Sequence, residues 1–210
     1  MLVTARESSR ILGGAGISRQ QSRRVLLTGL AGAAVPTSSS LLYDEDRVRE
    51  LGRWQVVDHE ELLASCPGGV FVMRLGPGAE PDATAPWGSV AEALRVQPYL
   101  GFPAWLQVAA LVSAYAPLPC VATVCGYPVL LADLVSFRSR ADEEAGDQVV
   151  LGLEPAGEWA GLLARRRLVT SAGPPWLVLG AQPYLGRAAR ARARGEPVGA
   201  ARSTTWTRWA

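Results

Sequence analysis

GISRQQSRRVLLTGLAG, residues 16–32, is the stretch on which the reading of this chain turns. Ser18 and Gln21 stand three apart ahead of an aliphatic run, the S-x-x-Q signature of a capping box. Gly29 follows the run, where a helix needs a residue that accepts a left-handed conformation at its C′ position. The expected helix therefore starts after Ser18 and ends near Thr28. Helical spacing puts Ser22, Val25, Leu26 and Gly29 on one face and Gln20, Arg23, Arg24 and Leu27 on the other. The polar face reads in two ways. It is either a solvated surface or a set of base and phosphate contacts made by Arg19, Gln20, Arg23 and Arg24. Arginine matches guanine, and glutamine matches adenine, along the major groove.

The flanking sequence favours the second reading. Upstream, Thr4 and Glu7 form a T-x-x-E box opening a helix to about Leu12, which Gly13, Gly14 and Gly16 then break. Downstream, Ala33–Val35 and Leu41–Tyr43 are short apolar pieces separated by Pro36, Thr37, Ser38, Ser39 and Ser40, the pattern of a small hairpin. Asp44 caps a third helix with Glu45 and Asp46 in its first turn. Val48 and Leu51 supply its inward face and Gly52 its end.

The segments ARESSRILG (5–13), GISRQQSRRVLLTGL (16–30) and LLYDEDRVREL (41–51) together resemble the winged helix-turn-helix of excisionase-like and MerR-type DNA-binding proteins. The resemblance covers about residues 1–54. It implies that the second helix enters the major groove while the wing lies along the DNA backbone. It places Arg23 where MerR-type proteins commonly carry a DNA-contacting arginine. Two departures stand out: Arg24 and Val25 occupy positions where aromatics are usual, and the wing tip is hydroxylic rather than basic. Thr37, Ser38 and Ser39 then offer hydroxyl contacts to phosphate. The DNA-binding residues expected on this basis are Ser18, Arg19, Gln20, Arg23, Arg24, Thr37, Ser38 and Ser39.

The expected class is α+β, with the winged module over 1–56, a separate α+β or α/β domain over 57–180, and an Arg-rich flexible tail over 181–210. In the middle region, Gly69–Leu75, Val121–Val124, Gln148–Leu153 and Trp176–Leu179 read as strands. Val129–Phe137 fits strand or helix. Helices are expected from a Ser89 cap to Arg95, over Ala104–Tyr115, and over Gly157–Arg167. QPYLG occurs at 97–101 and at 182–186, but the flanks differ, so no repeat is inferred.

Charge is unevenly spread. All 21 basic residues are arginine, and the formal net charge is +2. Residues 1–54 hold 8 Arg against 5 acids, 55–180 hold 7 against 13, and 181–210 hold 6 against 1. Basic ends around an acidic middle point to an anionic partner, here double-stranded DNA. A homodimer, and a small-molecule or protein effector at the middle domain, are the further partners expected. Prolines 98, 103, 117, 119 and 128 divide the uncharged run from Val96 to Ala132 too finely for one membrane span. Arg6, Glu7 and Arg10 interrupt any signal-peptide core, so the expected location is the cytoplasm.

Catalytic motifs are missing. His59 is the single histidine, and Leu63 stands where a zinc hydrolase needs its second. Cys66, Cys120 and Cys125 form no C-x-x-C pair. There is no G-x-S-x-G, no lysine for a Schiff base, and no dinucleotide-binding glycine motif. No enzyme activity, metal or cofactor is therefore expected. Trp87, Trp105, Trp159 and Trp176 are either core residues or the lining of a ligand pocket. The favoured function is DNA-binding transcriptional regulation. The alternatives are an excisionase-like recombination or phage accessory factor, and a protein-binding scaffold.

Overall fold

The computed structural model describes residues 1–98, 102–140, 148–171 and 173–180. Met1–Gly180 forms one compact unit, which holds both residues 1–56 and 57–180. The expected basic tail and the second QPYLG fall outside the described residues.

The chain opens with strand β1 (Leu2–Thr4), then helices α1 (Ala5–Gly13) and α2 (Arg19–Leu27). Thr4 caps α1 by accepting from the Glu7 N–H at 3.3 Å. The Glu7 carboxylate turns to Arg10 instead of reaching back, so this box is half formed. The box of α2 is complete. Ser18 Oγ accepts from Gln21 N–H at 3.3 Å, and Gln21 Oε1 accepts from Ser18 N–H at 2.9 Å. Three serines are buried where the helices meet, and each donates back to its own helix: Ser8 to Thr4, Ser9 to Ala5 and Ser22 to Ser18. Their burial therefore leaves no hydroxyl unpaired. Gly29 ends α2 at φ +73°, as its C′ position requires.

Strands β2 (Val35–Pro36) and β3 (Leu41–Asp44) form the expected hairpin, followed by α3 (Glu45–Gly52). Asp44 Oδ1 accepts from the Asp46 and Arg47 amides at 2.9 and 3.2 Å. β1 adds antiparallel to β3, with Val3 opposite Tyr43, giving the order β1-β3-β2. Three residues were too short a signal for β1 to be read in the sequence. Leu12, Val25, Val48 and Leu51 are each no more than 1% exposed and hold the three helices together.

Next come β4 (Gln55–Val56), α4 (His59–Ser65), β5 (Val70–Arg74), α5 (Trp87–Leu94), β6 (Val96–Pro98) and α6 (Phe102–Tyr115). The remaining strands are β7 (Leu118–Val124), β8 (Tyr127–Arg140), β9 (Gln148–Pro155), β10 (Arg166–Arg167) and β11 (Trp176–Leu179). One six-stranded sheet runs β11-β5-β7-β8-β9-β6, antiparallel except between β5 and β7. Alternation along β5 sends Val70 and Val72 into a core with Leu62, Val121, Leu163 and Leu168. Phe71 meets Phe137 edge-on at 6.5 Å, and Phe137 lies 6.3 Å from Trp105 of α6. No helix among the described residues is long and apolar enough to cross a membrane.

The fold is mixed α+β; one open reading is settled and two local expectations change. Val129–Phe137 is strand, within β8. Ser89 lies inside α5, whose cap position is Pro86 with no side-chain hydrogen bond. The helix expected over Gly157–Arg167 is a 3-10 helix, Glu158–Leu163. It stops there because Ala164 is extended, Arg165 adopts φ +54°, and Arg166–Arg167 pair in parallel with β4. Asp133 holds its start, accepting from Trp159 Nε1 at 2.7 Å and from Gly157 N at 3.1 Å.

Gly29 has a second constraint. A Cβ there would stand 3.0 Å from both Asp82 Oδ1 and Thr84 Cγ2. Gly29→Ala is expected to lower the unfolding free energy in urea by about 1–2 kcal/mol, from left-handed strain and this crowding together. Unchanged stability would refute the assignment of Gly29 as an obligatory turn.

Candidate functional site

A cleft of about 650 Å³ lies between the outer side of α2, the start of α1 and the β2–β3 hairpin. Arg19, Gln20 and Arg23 line it from α2, Arg6 from α1, and Ser40 and Tyr43 from the hairpin. The pairing of β1 with β3 sets this arrangement, because it fixes the start of α1 beside the hairpin. Among the described residues, no carboxylate lies within ion-pair distance of Arg6, Arg19 or Arg23. By contrast, Arg10, Arg24, Arg49, Arg95, Arg165 and Arg166 are each paired with a glutamate. Three uncompensated guanidinium groups on one cleft make a positive field that attracts anions. Tyr43 forms the floor, 3% exposed. Burial pushes its phenol up, and the charge of Arg23 partly opposes that shift.

The other expected residues are placed differently. Ser18 is exposed, but its hydroxyl is occupied as the cap of α2. Thr37 folds onto its own turn, its Oγ1 accepting from Ser40 N at 3.0 Å. Ser38 and Ser39 are exposed at the hairpin tip, outside the cleft lining. Arg6 and Ser40 join the site although the sequence did not single them out. Neither carries a local motif, and only the strand pairing brings them to α2.

Arg24 departs most from expectation. It was placed on the DNA-facing side, yet it points inward and its side chain is 18% exposed. Its Nε donates to Glu80 Oε1 at 2.5 Å and its Nη2 to the Leu75 carbonyl at 2.5 Å. Nη1 lies 3.8 Å from the Cys125 sulfur. Arg24 is committed to the sheet region and is not an exposed contact. Helical spacing puts Arg24 on the polar face with Arg23; it is the β5–α5 loop, through Glu80 and the Leu75 carbonyl, that takes its side chain, and no spacing along α2 reveals that loop.

The single histidine and the three cysteines lie outside the cleft lining. His59 Nε2 lies 3.1 Å from the Val169 carbonyl. Burial pushes the Cys120 thiol up to about 12 and raises Cys66 and Cys125 as well, keeping all three protonated at neutral pH. No group of three potential metal ligands occurs among the described residues. Of the tryptophans, Trp105 and Trp159 serve packing, Trp87 lines a pocket with Trp54 and Leu130, and Trp176 lines a cavity of about 230 Å³ with Phe71 and Met73. No family model matches this chain, and no curated protein or solved structure matches it either.

Burial alone would raise the Glu80 carboxyl, but hydrogen bonds from Arg24 and Gly78 outweigh it and hold the group below its usual range. A depressed folded-state pKa contributes stability that is present above the unfolded value and lost as pH falls through the folded one. Acidification from pH 6 to pH 3 is therefore expected to cost the native chain more than it costs Glu80→Gln, as measured by urea denaturation. Parallel losses would refute it. Arg24→Met strands the Glu80 carboxylate and is expected to lower stability by about 3 kcal/mol. A change below 0.5 kcal/mol, an ordinary surface value by order of magnitude, would refute an anchoring role.

Proposed function

We propose that this protein is a DNA-binding regulator that sets α2 into the major groove, with the β2–β3 hairpin against the flanking backbone. The observation that carries the reading is the cleft in which Arg6, Arg19 and Arg23 converge without carboxylate partners. Gln20 and Arg23 stand mid-surface on α2 and take the base edges. Arg19 and Arg6 lie toward the helix starts and take phosphate, which positions the helix without reading sequence. Ser38, Ser39 and Ser40 add hydroxyl contacts to the backbone. Arg24 has a different role: it holds α2 rigidly on the sheet region, as a helix inserted into a groove requires.

The test is binding to duplexes selected from a random-sequence pool, titrated over a range of salt. Double substitution Arg19→Ala with Arg23→Ala removes two cleft cations and leaves the buried face of α2 intact. It is expected to weaken binding at least tenfold and to reduce the slope of log K against log salt by about 1–2 units. An unchanged slope in the double variant, or no salt-dependent binding by the native chain, would overturn the proposal.

A further inference from the structure

The cavity lined by Trp176 lies across the sheet from the core packed around Val72. Alternation along β5 turns Phe71 and Met73 away from Val70 and Val72. Val149 and Leu151 of β9 line the same cavity. Strands β7 and β8 stand between β5 and β9 in the sheet, so the sheet curls to bring these side chains together. Phe71, Met73, Val149 and Leu151 are each no more than 3% exposed, yet a space of about 230 Å³ remains among the lining residues. Close-packed interiors hold few voids larger than one water molecule.

The lining decides what such a space accepts. The terminal nitrogens of Arg74 donate to the Ser171 and Pro174 carbonyls, which holds that loop at the cavity's edge. Gln97 Nε2 donates to the Leu94 carbonyl at 2.9 Å. These donors are engaged, and the rest of the lining is apolar apart from backbone. A carboxylate or ammonium entering here sheds its water without gaining a charged partner, whereas an uncharged molecule meets no such cost. Phe71 and Trp176 supply aromatic walls, which favour an aromatic guest. An apolar cavity of about 150 Å³ already holds benzene. The larger space here admits a benzene ring with a short substituent.

The mouth of the cavity belongs to the loop that holds α2. Gly76 and Ala79 line it and are exposed. They lie in the chain between the Leu75 carbonyl and the Glu80 carboxylate, the two oxygen acceptors for Arg24. The Gly78 N–H donates to Glu80 Oε2 at 2.8 Å, which ties the turn of the loop to the same carboxylate.

We propose that this cavity is a binding site for a small uncharged aromatic molecule, and that its occupancy braces the loop from Leu75 to Glu80 that anchors Arg24. An effect of the guest on DNA affinity would rest on the function proposed above; binding and bracing do not.

The test uses the full chain without DNA, so its failure is separate from failure of the DNA-binding reading. Toluene is the probe. Met1 and Met73 are the two methionines of the chain, so isotope-labelled methionine gives the cavity its own methyl reporter, assigned by its loss in Met73→Leu. A saturable ring-current shift of the Met73 methyl is expected, with a Kd below about 1 mM. Benzoate, of similar size but charged, is expected to bind at least tenfold more weakly. Exchange of the Gly78 amide should slow at least twofold when toluene saturates the site. Val149→Phe narrows the cavity and should weaken toluene at least tenfold. If that variant does not fold, Ala79→Trp, at an exposed position of the mouth, serves the same purpose. No shift of the Met73 methyl, benzoate binding as tightly as toluene, or undiminished binding in a folded cavity-filling variant would each overturn the site. An unchanged Gly78 exchange rate in the saturated protein would overturn the bracing.

Discussion

The Arg24–Glu80 ion pair is the contact on which the arrangement of this molecule depends. It joins the middle of α2 to a loop more than fifty residues later, and both side chains are largely withdrawn from water. Removing either partner leaves a charge buried without compensation, which is why such pairs resist being pulled apart. The Leu75 carbonyl accepts from a second guanidinium nitrogen, so the fork is held at two points rather than pivoting on one.

A second arginine closes the same seam from the opposite direction. Arg167, on β10, donates to the carbonyls of Trp54 and Ala15, both at 3.2 Å, and lies 5.7 Å from the centre of the Tyr127 ring. Tyr127 is fully buried and donates to the Leu51 carbonyl at 3.3 Å. The end of α3 and the turn between α1 and α2 are thus tied to the sheet by fixed polar contacts around a buried aromatic ring. The result is division of labour among the arginines of the first 54 residues. Arg24 stabilises the seam, while Arg6, Arg19 and Arg23 remain uncompensated on the cleft.

Much of the N-terminal part was legible before any coordinates. Ser18, Gln21 and Gly29 act within one helix, and capping chemistry depends on neighbours three or four residues apart, so spacing suffices to find it. The same holds for Asp44 and its first-turn acids. The exposed positions of Gln20 and Arg23 followed from helical period, which also put Arg24 beside them and could not show its pairing with Glu80. Weaker signals misled where two readings share a composition. Ser89 looked like a cap, but Pro86 already ends the preceding loop with a φ that suits the helix entry. The aliphatic run of β8 is long enough for either regular structure, and its partners β7 and β9 decide for strand.

What the sequence determined by itself is therefore local: three capped helices, a hairpin, and a polar stripe on the second helix. Tertiary structure alone decided the direction of Arg24, the addition of β1 to β3, and the recruitment of Arg6 and Ser40 to the cleft. Each of these joins residues far apart in the chain, and the free energy that selects them comes from packing and ion pairing between elements. No short-range periodicity carries that information. Arg23 and Arg24 are adjacent and chemically identical, and they differ in role because Glu80 lies on one side of α2 and not on the other.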